Sequence, residues 1–139
     1  MNTDNIYREE ILEHYREPHN FGKMEGADGH SRQTNPLCGD DVEMWVKFDS
    51  SALRQAQGSA QKNVDNDKAV KNIRFFGRGC AICMAGASML TDFAKGKSKA
   101  QLTKFSENDM LKLIGIQVSE TRKKCVFLSL AVLKDCLYV

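Results

Sequence analysis

Three cysteines stand where this chain could do chemistry. Cys38 lies in Asn35-Pro36-Leu37-Cys38-Gly39-Asp40. Cys80 lies in Gly77-Arg78-Gly79-Cys80-Ala81-Ile82-Cys83, and Cys125 follows Arg122-Lys123-Lys124. Each falls where a loop meets a regular element, and they lie far apart in sequence, so only the fold can bring them together. Three thiolates with one carboxylate, Asp40, make a donor set for tetrahedral zinc or for an iron–sulfur cluster. The same thiols could hold a sulfur atom and pass it on.

The neighbours of each residue bear on that chemistry. Gly39, between Cys38 and Asp40, lets a thiolate and a carboxylate turn toward one point in an irregular loop; the plainer reading is a Gly-Asp turn before a strand. Cys80 opens an expected helix, where unpaired N–H groups and the helix dipole favour a thiolate. Cys83 follows one turn later, giving a C-x-x-C pair, but with no thioredoxin-like βαβ context it reads as packing beneath the site. Cys125 sits behind three basic residues near the start of the last helix; positive charge there would favour its thiolate. Cys136, in an apolar stretch, reads as a buried core residue. The histidines, His14, His19 and His30, lack metal-ligand spacing and read as surface or packing residues, with His30 alone near enough in sequence to approach the site.

These residues need elements to position them. Asn5 to Arg16 carries Ile6, Ile11, Leu12 and Tyr15 near helical spacing, with Asp4 as N-cap and Pro18 beyond the end. Pro18 to His30 reads as loop, and a short strand is expected at Ser31 to Thr34. Val42 to Phe48 alternates strictly and predicts a half-buried strand; Val70 to Phe76 predicts a second, with poorer alternation. Between them Ser50 to Lys68 is polar and reads as a long connection, with one helical turn at Ala52 to Gln57. Helices follow: Cys80 to Lys95 ended by Gly96, two short ones opened by Ser98-Lys99-Ala100-Gln101 and Ser106-Glu107-Asn108-Asp109, and a last one from Glu120 to Leu137. In that last helix Val126, Leu130, Leu133 and Leu137 share a face. A small sheet followed by a run of helices is an α+β pattern.

Composition bounds the function classes. The chain has 139 residues, 42% hydrophobic and 27% charged, which suits one globular domain over residues 1–139. A net charge of +2 gives no electrostatic case for nucleic acid or an anionic membrane. The N-terminus does not read as a signal peptide, and no apolar run approaches the roughly 20 residues of a membrane helix. A cytoplasmic location is the expectation, where thiols stay reduced. Five cysteines cannot form a complete set of disulfides.

At these residues the chain resembles the IscU/SufU/NifU-type iron–sulfur scaffold family. Tyr7 to Tyr15 and Pro18-His19-Asn20-Phe21-Gly22 are similar to the family's first helix and following loop. Asn35 to Asp40 resembles its Asn-Pro-x-Cys-Gly-Asp motif, Gly79 to Ser88 its Gly-Cys helix start, and Lys124-Cys125 its final basic-residue-Cys position. The resemblance implies a three-stranded antiparallel sheet with helices packed on one side. It implies a scaffold, rather than an enzyme in the ordinary sense, that takes sulfur from a cysteine desulfurase and assembles or relays a [2Fe-2S] cluster. The ligands implied are Cys38, Asp40, Cys80 and Cys125, holding zinc or iron in a cluster. The partners implied are the desulfurase, an iron donor and recipient apoproteins, with the chain a monomer or weak dimer.

Some positions depart from the family's branches. Lys124 stands where IscU-type members have histidine, as in the SufU-like branch, and a protonated lysine is no ligand. Ile116-Gln117-Val118-Ser119 stands near the place of the Leu-Pro-Pro-Val-Lys segment that IscU presents to its chaperone. The insertion usual in SufU between the second and third cysteines is absent, and extra length lies at Ser50 to Lys68 instead. Cys83 occupies a position often serine. Within the leading reading, Cys125 is expected to be the first sulfur acceptor. The competing readings are a structural zinc-binding interaction module without sulfur transfer and a thiol-disulfide oxidoreductase using Cys80 and Cys83.

Overall fold

The computed structural model describes residues 3–36, 39–49 and 68–138. Helix α1 spans Thr3–Arg16, and three strands follow: β1 (Gly29–Asn35), β2 (Asp40–Asp49) and β3 (Ala69–Arg78). The rest is helical: α2 (Ala81–Ala94), α3 (Lys99–Lys104), α4 (Glu107–Ile114) and α5 (Glu120–Cys136). The strands form one antiparallel sheet in the order β1-β2-β3. The residues expected to form a connection at 50–67, including the helical turn at Ala52 to Gln57, lie outside the described residues.

Alternation along β2 puts Val42, Met44 and Val46 on one face, all fully buried under the helices. Helix α5 lies across β1 and β2, while α2 packs on β3 and carries α1 on its outer side. From Ile82 to Thr91 every residue of α2 is buried, as expected of a helix enclosed on all sides. On the other face of the sheet, the His30 ring stacks on Trp45 at 5.2 Å and Arg32 clamps Asp41.

The poor alternation of β3 has a local cause. Lys47 pairs with Asn72 but Phe48 pairs with Val70, which leaves Lys71 as the extra residue of a bulge. The extra residue sends both Val70 and Ile73 inward, an odd spacing that a regular strand forbids. The outer edge of β3 is then covered by two loop segments. Gly22 N–H donates to the Phe75 carbonyl and Phe75 N–H to the Asn20 carbonyl, while Val70 N–H donates to Lys97 and Gly96 N–H to Val70. An edge closed in this way offers no template to another chain.

The helix boundaries follow their sequence signals. Ser98 and Ser106 both make capping boxes, with Gln101 and Asp109 as reciprocal partners. Gly96 and Gly115 end α2 and α4 in the left-handed region. Two expectations for α1 need correction. Asp4 lies inside the helix rather than capping it. Leu12 and Tyr15 are exposed, and the face that packs on α2 carries Ile11 and His14. The reason is a polar contact: His14 Nδ1 meets the Ser88 hydroxyl at 2.7 Å, so a buried imidazole takes a place that hydrophobic spacing assigned to apolar residues. No helix among the described residues is long and apolar enough to cross a membrane.

Cys136 closes α5 in the core, fully buried, with its Sγ 3.6 Å from the Met44 carbonyl. Burial, with the Asp135 charge beside it, pushes its thiol pKa up to about 12. At pH 8 about one molecule in ten thousand would carry the thiolate, which is the form that alkylating reagents attack. Under native conditions Cys136 is therefore expected to remain unmodified by iodoacetamide long after Cys80 is labelled. Mass spectrometry of a time course checks this, and early label on Cys136 would contradict the packing.

Candidate metal centre

Three elements meet at one end of the sheet. Asn35 pairs with Asp40 across the β1–β2 turn, and Gly39 N–H donates to the Asn35 carbonyl at 2.8 Å. Asp40 and Asp41 are successive strand residues, so their side chains leave on opposite faces. Asp41 goes outward to Arg32, which donates from Nε at 2.9 Å and from Nη2 at 2.6 Å. Those hydrogen bonds hold the Asp41 pKa below the usual carboxylate range. Asp40 goes inward and is 1% exposed.

Cys80 is the N-cap of α2 in extended backbone, and its side chain makes no capping bond. Its N–H donates to Asp40 Oδ1 at 3.0 Å, so the carboxylate does part of the capping work and is tied to the cysteine. Cys125 comes from the second turn of α5 and is 6% exposed. The ligand atoms of Asp40, Cys80 and Cys125 all lie within 4.8 Å of one another. Tetrahedral zinc with bonds of about 2.3 Å to sulfur and about 2.1 Å to oxygen has ligand–ligand edges of roughly 3.5–3.8 Å. Small side-chain movements suffice to close on such an ion. Cys38 lies outside the described residues; along the chain it precedes Gly39 and Asp40.

Gly79 explains how Asp40 reaches so close to Cys80. A Cβ at position 79 would lie 2.6 Å from Asp40 Oδ1 and 3.2 Å from Cys83 Sγ. The Asp40 side chain is short and buried, so it cannot simply swing clear. Gly79→Ala is expected to cost about 1–3 kcal/mol as overpacking and to displace the carboxylate. Chemical denaturation and zinc content of the purified variant check both effects. Unchanged values for both would show that this close approach does not matter.

Cys83 is fully buried beneath Gly79 and does not join the group of three. His30 does not approach the centre either: Nε2 contacts Glu43 and the ring lies on Trp45, away from the β1–β2 turn. Helix geometry refines the place of Cys125 among its basic neighbours. Cys125 is in the second turn, beyond the N–H groups that define the helix end. Adjacent residues on a helix do not face each other, whereas residues three apart do. Lys124 and Lys123 therefore diverge from Cys125, and Lys123 pairs with Glu120 at 2.8 Å. Arg122 is the basic residue on the face of Cys125.

A profile of the NifU-like N terminal domain matches residues 6–138. The chain belongs to this family. It is 29% identical over 110 residues to the iron-sulfur cluster assembly scaffold protein IscU 1 of Archaeoglobus fulgidus, covering 79% of this chain and 61% of that one. It is 33% identical over 96 residues to the zinc-dependent sulfurtransferase SufU of Bacillus subtilis, covering 69% of this chain and 53% of that one. The chain thus spans between about half and three-fifths of the length of these curated relatives. The N-terminal part of a nitrogen-fixing NifU-like protein from Brucella abortus has the same fold, with a TM-score of 0.66 at 18% identity over 96% of this chain and 93% of that one. The NifU-like N-terminal fold is thus the three-stranded antiparallel sheet with helices on one side that the sequence led us to expect.

The residues missed in the sequence are polar ones in α1, in the loop after it and in α2. His14, His19 and Asp92 also gather within 4.8 Å. The available signal was Ser88, Thr91 and Asp92 interrupting an otherwise apolar helix, but nothing in the spacing linked them to the histidines.

Proposed function

We propose that this NifU-like domain, taken over residues 1–139, is an iron–sulfur cluster assembly scaffold that accepts sulfur from a cysteine desulfurase. In this reading Cys38, Asp40, Cys80 and Cys125 hold zinc or a [2Fe-2S] cluster, and recipient apoproteins take the cluster. The observation that carries it is the convergence of Asp40, Cys80 and Cys125 from three separate elements. The names of the relatives support it, one as a cluster scaffold and one as a zinc-dependent sulfurtransferase.

The donor set suits both occupants. Thiolates bind zinc and the irons of a cluster, while a carboxylate is the harder and more exchangeable ligand. Bound zinc would keep the thiols deprotonated and ordered. Cys125 is the proposed sulfur acceptor. Its thiolate attacks the terminal sulfur of the donor's persulfide, a new S–S bond forms on Cys125, and the donor cysteine leaves as thiolate. One S–S bond replaces another, so no external oxidant is required. Arg122, on the same helix face, would stabilise the incoming persulfide anion. Cluster assembly would then take iron from an iron donor and two electrons per persulfide sulfur from a separate electron-donor protein, which brings the sulfur to sulfide and returns Cys125 as thiolate. The reading places the protein in the cytoplasm, where reducing conditions preserve the thiols.

The test is to incubate the protein with a desulfurase and cysteine, trap persulfides by alkylation and map them by mass spectrometry. Label is expected first on Cys125, and more slowly in Arg122→Ala than in Lys124→Ala. Label first on Cys38 or Cys80 would reassign the acceptor. Absence of label on all three would leave a zinc-binding module without sulfur transfer.

A further inference from the structure

We propose that His14, His19 and Asp92 form a second metal site, for a divalent first-row transition cation, separate from the cysteine centre. One ring nitrogen from each histidine and one Asp92 carboxylate oxygen lie within 4.8 Å of one another. Two imidazoles and one carboxylate on one side of an ion, with the other positions open, is the donor set of the two-histidine–one-carboxylate facial site. It suits borderline ions such as Fe(II), Co(II), Ni(II) and Zn(II).

The donors are held from behind. The Ser88 hydroxyl contacts His14 Nδ1 at 2.7 Å and accepts the His19 backbone N–H at 2.8 Å. Nδ1 of His14 thus lies against Ser88, and an ion taking Nε2 would leave that contact in place. Asn20 donates from Nδ2 to Asp92 Oδ1 at 2.8 Å and to Thr91 Oγ1 at 3.0 Å. The other carboxylate oxygen, Oδ2, is thereby turned to His19 Nδ1. Partners of this kind orient the ligands of metal sites and fix their rings. Asn20 takes a left-handed backbone conformation, φ 59°, to bring the loop over α2; this is uncommon for a residue with a side chain and is a conformation that asparagine tolerates better than most.

Access is one-sided. His14 is 8% exposed, whereas the His19 and Asp92 side chains are 52% and 41% exposed. An ion would enter between the two exposed groups, replacing the contact between them, and water would complete its shell. The site is also remote from the cysteines. Cys80 caps the start of α2, and Asp92 is twelve residues further along the helix, a rise of about 18 Å.

The test uses Co(II) with the full chain under anaerobic conditions. Thiolate-bound cobalt gives intense near-ultraviolet charge transfer, and a histidine–carboxylate site gives only weak visible bands, so the two populations are read separately. The wild type is expected to bind one equivalent of the second kind, with paramagnetically shifted signals from two imidazoles. His19→Gln and Asp92→Asn, both at exposed positions, should weaken that equivalent at least tenfold and leave the charge-transfer equivalent unchanged. His30→Ala, at the other exposed His–carboxylate pair, should change neither. No weak-band cobalt in the wild type, or equal affinity in wild type, His19→Gln and Asp92→Asn, would overturn the proposal. So would loss only in His30→Ala.

Discussion

In Cys125→Ser, zinc affinity is expected to fall about a hundredfold while the fold persists. Structural zinc in small domains binds with roughly 10–16 kcal/mol at neutral pH. Shared over four ligands, one thiolate's part is about 3 kcal/mol, or about two decades in affinity. A serine hydroxyl is a poor substitute because it stays protonated. The fold should survive because its core does not depend on the metal. Val42, Met44, Val46, Ile73 and Phe75 are fully buried beneath α2 and α5, and the helix caps close without it. Competition with a chromophoric chelator gives the affinity, and circular dichroism gives the fold. Cys83→Ser is the internal control, expected to keep its zinc. Equal zinc affinity in wild type and Cys125→Ser would remove Cys125 from the centre.

Asp40→Ala is expected to hold a reconstituted cluster longer and release it more slowly, by about tenfold. In the proposed centre the carboxylate would be the hard ligand in a soft set and would open a position through which a recipient thiolate can enter. Asp40 has a second role, since Oδ1 accepts the Cys80 N–H. Losing that bond should cost about 1 kcal/mol of stability. The two roles separate in Asp40→Asn, which keeps an acceptor oxygen but loses the charge. If ligand exchange governs release, both variants transfer slowly to an apo-ferredoxin, while the stability loss is confined largely to alanine. Transfer at the wild-type rate from both variants would leave Asp40 as a capping residue only.

How much of this was legible in the sequence depended on the reach of each signal. Helix ends were, because Ser98, Ser106, Gly96 and Gly115 act within a few residues of themselves. The strand at Val42 to Phe48 was, because its alternation faces a helix layer on one side. The outline of β3 was blurred by a bulge at Lys71, which depends on its partner strand and leaves no local mark. Asp40 could be named from its motif, but its burial, and the outward turn of Asp41 to Arg32, depend on the strand pleat and on a partner strand. The place of Cys125 in the second turn of its helix, past the free N–H groups, follows from where the helix starts, which the sequence marked only roughly. His14 escaped because its partner, Ser88, lies on another helix.

Zinc K-edge X-ray absorption of the protein loaded with less than one equivalent of zinc, which the thiolates take first, tests the central claim most directly, since it counts the donor atoms around the ion. The account predicts three sulfurs at about 2.3 Å and one oxygen at about 2.0–2.2 Å, with one sulfur lost in Cys38→Ser, in Cys80→Ser and in Cys125→Ser. Four sulfurs would bring Cys83 into the centre in place of Asp40. A shell of nitrogen and oxygen alone would contradict a cysteine centre altogether.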